Sequence, residues 1–365
     1  MGTRAPRYTI ILAAGEGTRM GSTTHHKVCY PIGGQPAVNR AIKIYNKCGI
    51  EQHILVVGAL AGQVIETVGS AFENVIFTYQ AQRLGTAHAA RQALKVLDGL
   101  QSEHDVLVVA GDRIIKPAVI EQLFDLFYRQ NLDLAVLAVP SRPASNQGRL
   151  VLDDTGGLLG IVEAADIRQR QVYRRLFEMA GQGLSFLTEK LLQMVKSGFA
   201  AGAHLPGEAK CETAFGDLWR ALGTEKGDLS AADILNLVPR EKTRFEFISA
   251  AGIKLIKAPD DIQSSRLFNT SVYLIKIPAL RYALASLDRD NAQQEEYLCE
   301  IVNQLATAIE NRQPKYAVDY LVVQDPNHVL GFNTPTELFE VEALIPVSYT
   351  HLRAHETRYV ISYAV

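Results

Sequence analysis

Apolar residues along the chain fall into short unbroken runs that alternate with segments carrying them every third or fourth position. The runs at residues 8–12, 53–58, 75–79, 105–112 and 132–139 read as strands. The periodic segments at 36–47, 61–72, 86–97 and 117–130 read as helices. Strands with no polar alternation are buried on both faces, and strands joined through helices run parallel. The pattern predicts an α/β fold, doubly wound around a mostly parallel sheet. Such sheets bind ligands beyond the carboxyl ends of their strands, where loops lead into helices.

Further along the period changes. Residues 148–162 read as a hairpin turning at Asp154-Thr155-Gly156-Gly157. Residues 166–261 are rich in Arg, Gln, Lys and Glu, broken by Gly198, Gly202 and Pro206-Gly207, and read as an inserted helical subdomain. The strand pattern resumes at 266–277, a helix is expected at 293–311, and a strand at 316–323. A last helix opens at Thr334-Pro335, with Thr at the cap and Pro at the first helical position. The division is thus 1–165 with 262–345 as one domain and 166–261 as the insertion. Residues 347–365 (VSYTHLRAHETRYVISYAV) continue no element and resemble a translated sequencing-adapter tail. They are read as non-native and left out of site reasoning, and on that reading the natural chain is cut near Ile345.

Composition narrows the function. At 365 residues, 47% hydrophobic and 21% charged, the chain is neither disordered nor fibrous. Lys+Arg 37 against Asp+Glu 39 leaves a net charge of −2, so no basic field points to nucleic acid. No apolar run approaches the roughly 20 residues of a membrane helix. Cys29, Cys48, Cys211 and Cys299 are scattered without a C-x-x-C pair, which reads as free thiols in a reducing, cytoplasmic setting. Oligomerisation is left open.

Chemistry gathers at the strand ends. Leu12-Ala13-Ala14-Gly15-Glu16-Gly17-Thr18-Arg19-Met20 follows the first strand directly. Its small residues let backbone N–H groups approach a nucleotide, and Gly15 and Gly17 permit turns barred to other residues. Arg19 and Lys27 add a guanidinium fork and a compact ammonium. A plain glycine turn with two solvated cations is the alternative. Gln80 can donate and accept in one plane, as a pyrimidine edge requires, and Gly85-Thr86 opens a helix. Asp112 ends the fourth strand as a turn former or a Mg²⁺ ligand. His88 reads as an ordinary helix residue, adjacent His25-His26 lack the spacing of a zinc helix, and Arg168, Arg170, Arg174 and Arg175 read as a solvated helix face.

The first loop resembles the L-[AG]-[AG]-G-x-G-T-R-[ML] signature of sugar-nucleotide pyrophosphorylases, and residues 80–89 resemble the Q-x-x-x-L-G-T-[GA]-H-A segment of the N-acetylglucosamine-1-phosphate uridyltransferases in that family. The resemblance covers residues 8–163 and 266–345. It implies a nucleotide-diphospho-sugar transferase fold of Rossmann-like type and a Mg²⁺-dependent transfer of UMP from UTP to a sugar 1-phosphate, N-acetylglucosamine 1-phosphate first among them. Arg19 and Lys27 would act on the phosphates. Leu12, Ala13, Ala14, Gly15, Gly17, Gln80, Gly85 and Thr86 would hold the nucleotide. Asp112 and Asn333 would hold the metal, while Gly148, Glu163 and Asn269 would line the sugar.

Four departures stand out. His26 replaces the Pro that usually precedes the Lys, and the Arg19 to Lys27 spacing is about one longer. Ser271 replaces a Gly, and Cys299-Glu300 replaces Thr-Asp in a Y-L-T-D-I segment. A molybdopterin-type guanylyltransferase or a cytidylyltransferase would keep the chemistry with other substrates. A catalytically silent nucleotide-sensing module is the reading from another class.

Overall fold

A computed structural model describes residues 6–140, 146–183, 186–201, 205–224, 228–311 and 313–345; the tail at 347–365 lies outside them. The alternation appears as β1 (Tyr8–Ala13), α1 (Ala37–Lys47), β2 (Gln52–Val57), α2 (Ala61–Gly69), β3 (Val75–Tyr79), α3 (Thr86–Gly99), β4 (Val106–Ala110), α4 (Pro117–Arg129) and β5 (Leu134–Pro140). β1 lies parallel between β2 and β4, with Ile10 opposite Ile54 on one side and Val108 on the other, and β3 continues outside β2. Successive residues of a strand point to opposite faces. Accordingly Ile10 packs with Ala90 and Leu97 of α3, while Ile11 packs with Val38, Val64 and Leu123 of α1, α2 and α4. Helices on both faces are why these strands read as unbroken apolar runs.

The rest of the sheet is built from later residues. β6 (Arg149–Leu152) and β7 (Leu158–Val162) form the expected hairpin at one edge. Between them and the last sheet strands come α5 (Ala164–Ala180), α6 (Thr188–Phe199), α7 (Glu208–Thr224) and α8 (Ala231–Leu237), then β8 (Phe245–Ile248), β9 (Lys254–Lys257) and α9 (Pro259–Gln263). β10 (Leu267–Ile275) then runs antiparallel between β4 and β5 and touches β6 at Phe268, and β11 (Val318–Val322) lies parallel outside β5. The parallel character therefore resides in two blocks, β4-β1-β2-β3 and β5-β11, joined by one antiparallel strand.

The register of β10 slips between Asn269 and Tyr273. Ser271 stands there with φ 58, a left-handed conformation that costs a non-glycine residue roughly 1–2 kcal/mol. The bulge is held from within. Ser271 N–H donates to Asn269 Oδ1 at 2.9 Å, Asn269 Nδ2 donates to Tyr273 Oη at 2.8 Å, and Thr270 Oγ1 donates to the Leu137 carbonyl at 2.6 Å. The family's usual Gly would sit there without strain.

The helices α5 to α8 enclose a core of their own, with Val172, Leu176, Val195, Phe215 and Leu218 buried together. The stretch read as helical also carries β8 and β9, an antiparallel pair with Phe245 opposite Lys257. Phe245 and Phe247 alternate inward there, a period-two signal overlooked among the charges. The arginine face is not simply solvated: Arg170 lies 4.1 Å from the Phe245 ring centre and donates to the Arg244 carbonyl, and Arg168 donates to Asn146 Oδ1 at 3.0 Å.

Two more helices differ from expectation. α10 (Ile277–Ala285) follows β10 directly, where the strand reading ran on to residue 277; Pro278 at its start was the available signal. The helix expected over 293–311 is only α11 (Glu300–Ala306), because residues 291–298 give their backbone donors elsewhere. Ala292 N–H donates to Asp166 Oδ1 (2.7 Å), Glu296 N–H to the Leu84 carbonyl (2.7 Å) and Leu298 N–H to Thr86 Oγ1 (2.9 Å). This strap ties α5 to the start of α3. α12 (Pro335–Leu344) opens as expected, Thr334 Oγ1 accepting the Glu337 N–H at 3.2 Å. No described helix is long and apolar enough to cross a membrane.

Candidate active site at the carboxyl edge of the sheet

The loop after β1 turns at Gly17, whose φ of 62 places it in the left-handed region and whose missing Cβ would lie 2.9 Å from Lys27 Cβ. Gly17 is therefore required twice over, by conformation and by contact. The expectation that Gly15 serves the same way does not hold. Its φ is ordinary and a Cβ there would meet nothing within 4 Å, so what Gly15 provides is an open backbone face. Ala13 and Ala14 are buried, Leu12 half-buried, and the Leu12 carbonyl accepts the Gly111 N–H at 2.9 Å. That bond brings the end of β4 alongside the loop.

Four residues far apart in sequence meet here. Lys27 Nζ lies 2.7 Å from Asp112 Oδ2 and donates to Asn333 Oδ1 at 2.9 Å; Arg19 Nη2 donates to the same oxygen at 3.1 Å. Asn333 is fixed by its own N–H on Glu337 Oε2 at 2.5 Å, in the first turn of α12. Burial alone would raise the Asp112 carboxyl, but Lys27 and Arg113 beside it outweigh that and hold it below the usual aspartate range. Asp112 and Asn333 thus offer two hard oxygens to one cation, and the Lys27 ammonium is the species standing between them. Such a pair suits Mg²⁺, which takes few protein ligands and fills its remaining positions with phosphate and water. Among the described residues no group of three or more His, Cys, Asp and Glu side chains is placed to hold a metal ion instead.

The His26 departure has a structural account. His26 is buried, its N–H donates to Gln63 Oε1 at 2.6 Å, and its Nδ1 accepts the Val28 N–H at 3.3 Å. Burial pushes its pKa below the ordinary histidine value, in keeping with an Nδ1 that accepts a hydrogen bond. Proline could make neither bond. Gln63 Nε2 also lies 2.9 Å from His25 Nδ1, so α2 holds both histidines, and with them the short 3₁₀ turn that presents Lys27.

At the next strand end, Gln80 follows β3 with its side chain buried. Its Nε2 donates to the Gly85 carbonyl at 3.0 Å and lies 3.0 Å from His88 Nδ1. Gly85 has φ 117 and ψ 178, and a Cβ there would lie 2.4 Å from the Glu296 carbonyl oxygen. The Ala87 N–H at the start of α3 is taken by that same carbonyl at 2.9 Å, and the Thr86 hydroxyl by Leu298, so the strap occupies part of this helix end. Arg83 pairs with Glu16 across the opening, joining the loop after β3 to the loop after β1. His88 and Glu296 belong to this corner; the reading of His88 as an ordinary helix residue misses its contact with Gln80, because the i+8 return carries no periodic signal.

The third group lies around β6, β7 and β10. Gly148 leaves room for Glu163, whose Oε1 would be 3.0 Å from a Cβ at that position. Burial raises the Glu163 carboxyl, with the Cys299 thiol and Arg149 working against it. Asp166 is pushed up to about 7 and Glu300 to about 8, both chiefly by burial and then by neighbouring carboxylates. Asn269 is brought near through its N–H on the Gly148 carbonyl (3.0 Å), but its side chain is committed to the β10 bulge rather than turned outward.

Residues 9–201 match the family described as the MobA-like NTP transferase domain. The bifunctional protein GlmU of Cellvibrio japonicus is 39% identical over 44% of this chain and 34% of its own length. That of Hyphomonas neptunium is 31% identical over 71% of this chain and 57% of its own length. The chain thus spans between a third and somewhat over half of these curated relatives. Among solved structures, a Bacillus anthracis protein described as a glucose-1-phosphate thymidylyltransferase superposes with a TM-score of 0.54 at 14% identity, over 92% of this chain and 94% of that one. The inositol-1-phosphate CTP transferase of T. maritima gives 0.51 at 13% identity, over 94% and 96%. At such identities the likeness is one of fold.

Proposed function

The chain belongs to the MobA-like NTP transferase domain family, and on that premise we propose that it transfers a nucleoside monophosphate, UMP from UTP, to a sugar 1-phosphate such as N-acetylglucosamine 1-phosphate, with release of pyrophosphate. The observation that carries this reading is the convergence of Arg19, Lys27, Asp112 and Asn333 on one another at the carboxyl edge of β1 and β4. The reaction brings two anions together, so its catalysis is alignment and charge neutralisation. The attacking sugar phosphate is already ionised at neutral pH and needs no strong base.

In this reading the open backbone face at Gly15 receives the phosphates, Arg19 grips the triphosphate and Lys27 stabilises charge at the reacting phosphorus. Mg²⁺, held by Asp112 and Asn333, would supply further neutralisation of the phosphate oxygens. Gln80 reads the base, with Gly85 and Thr86 beside the nucleoside. Gly148 and Glu163 border the sugar. The sequence motif at residues 80–89 supports uridine, while thymidylyl and CTP transfer are named for the two structures of like fold.

The test is pyrophosphate release with Mg²⁺, crossing UTP, CTP, GTP, ATP and dTTP with a panel of sugar 1-phosphates. UTP-dependent release with one sugar is expected. Release only with another triphosphate would move the assignment to a sister activity, and silence with nucleotide bound would favour a sensing module.

A further inference from the structure

Gln80 is the only side chain so far assigned to the base, and a carboxamide is ambiguous: its oxygen accepts and its nitrogen donates. The surroundings remove the ambiguity. Gly85 presents a backbone carbonyl 3.0 Å from the inner end of the amide, and a carbonyl oxygen only accepts. The nitrogen end must therefore face inward, since the opposite orientation would set two oxygens against each other. The same nitrogen lies 3.0 Å from His88 Nδ1. Having spent one hydrogen on Gly85, it offers the other to His88, and Nδ1 must then be the unprotonated ring nitrogen. A neutral imidazole so placed carries its proton on Nε2, whose 3.3 Å contact with Gln92 Nε2 is longer than the 3.0 Å contact at Nδ1. The Gln92 amide is itself oriented by donating to the His88 carbonyl at 3.2 Å while its oxygen accepts from Lys95 Nζ at 3.2 Å.

Both hydrogens of the Gln80 amide are thus consumed inside the protein, and only its oxygen is left for a ligand. An oxygen accepts from a base edge that carries a ring N–H, as uracil does at N3. With the amide oxygen set against ring position 3, cytosine presents a bare acceptor and meets it lone pair to lone pair. We propose that His88 is a specificity-determining positioning residue: by binding the second amide hydrogen it makes Gln80 an acceptor-only reader, favouring uracil over cytosine. The inference deepens the base assignment made above and rests on it.

Two measurements test it. The first is the ¹⁵N spectrum of the imidazole in the free wild-type protein at pH 8, which should show His88 as the Nε2–H tautomer. The opposite tautomer would overturn the proposal whether or not the protein has activity. The second is the ratio of kcat/KM for UTP and CTP in wild type, His88→Ala and His88→Asn. Loss of the imidazole frees one amide hydrogen for cytosine N3, so the ratio should fall about tenfold in His88→Ala, the worth of one hydrogen bond. Asn places an acceptor close to the position of Nδ1 and should restore most of it. A ratio unmoved by His88→Ala, with both proteins folded by circular dichroism, refutes the role. A wild type with no pyrimidine turnover but the Nε2–H tautomer would instead remove the base assignment on which the role depends.

Discussion

Asp166 accepts the Ala292 N–H at 2.7 Å and is held in a buried, acidic neighbourhood that raises its carboxyl to about 7. Burial is the largest cause; Glu163 adds to it, while Ala292, Arg170 and Lys242 work against it. In the unfolded chain the same carboxyl ionises near its ordinary 3.8. Between those two values the native state binds the extra proton, so unfolding free energy falls as pH rises through the window and the penalty is complete above it. At ~1.4 kcal/mol per tenfold, an aspartate displaced this far carries an unfavourable term on the order of 4 kcal/mol once ionised. Glu300, raised to about 8, shares the field with it, so relief at one site recovers only part.

Asp166→Asn keeps the oxygen that accepts Ala292 and removes the ionisation. The variant should be more stable than wild type by about 2–4 kcal/mol at pH 8.5 and about equal at pH 5, where the wild-type side chain is already neutral. Urea unfolding followed by circular dichroism at the two pH values measures this directly. A stabilisation of the same size at both pH values, or a loss at pH 8.5, would refute the argument that burial of charge governs this corner.

Lys27→Met should cut turnover by about 10²–10³-fold, the usual effect of removing one charged stabiliser from a reacting centre, as steady-state pyrophosphate release would show; a loss below tenfold would detach Lys27 from the chemistry. Gly85→Ala forces a Cβ onto the Glu296 carbonyl and a near-forbidden φ, at about 1–3 kcal/mol of strain. Nucleotide affinity by calorimetry should drop by tenfold or more with the fold retained, and unchanged affinity would place the base elsewhere. Ser271→Gly relieves the left-handed strain in β10 and should raise stability by about 0.5–1 kcal/mol in a melting experiment; a lower melting temperature would mean the serine side chain is itself needed there.

The central strands were legible because nothing competes with their local signal. Ile10, Ile54 and Val108 are wholly buried between helices, and unbroken apolar runs say as much. The meeting of the glycine loop after β1 with Lys27 and Asp112 was legible because strand ends and glycines mark these residues locally. Asn333 was reachable only through a family motif, since its partner Arg19 lies 314 residues away. The strap at 291–298 was misread for a physical reason. Its residues have helical composition, but their N–H groups find Asp166, Leu84 and Thr86 before they can find carbonyls four residues back. Tertiary partners of that kind override propensity, and no local window contains them. His88 reads as an ordinary helix residue for a like reason, since its contact with Gln80 exists only once the turn at Gly85 brings the two together.

The place of β10 in the sheet also fixes a timetable. Because it lies between β4 and β5, those two strands cannot be bridged on the ribosome until the whole of α5 to α9 has been made and β10 follows it out. Until then β4 offers an unpaired edge with its apolar faces formed, a surface that invites pairing with other chains. The nascent protein therefore spends much of its synthesis with half a sheet and no Asn333. Truncated or stalled chains ending before β10 should be the ones that aggregate or recruit chaperones, whereas chains ending after β11 should be soluble yet unable to complete the phosphate site.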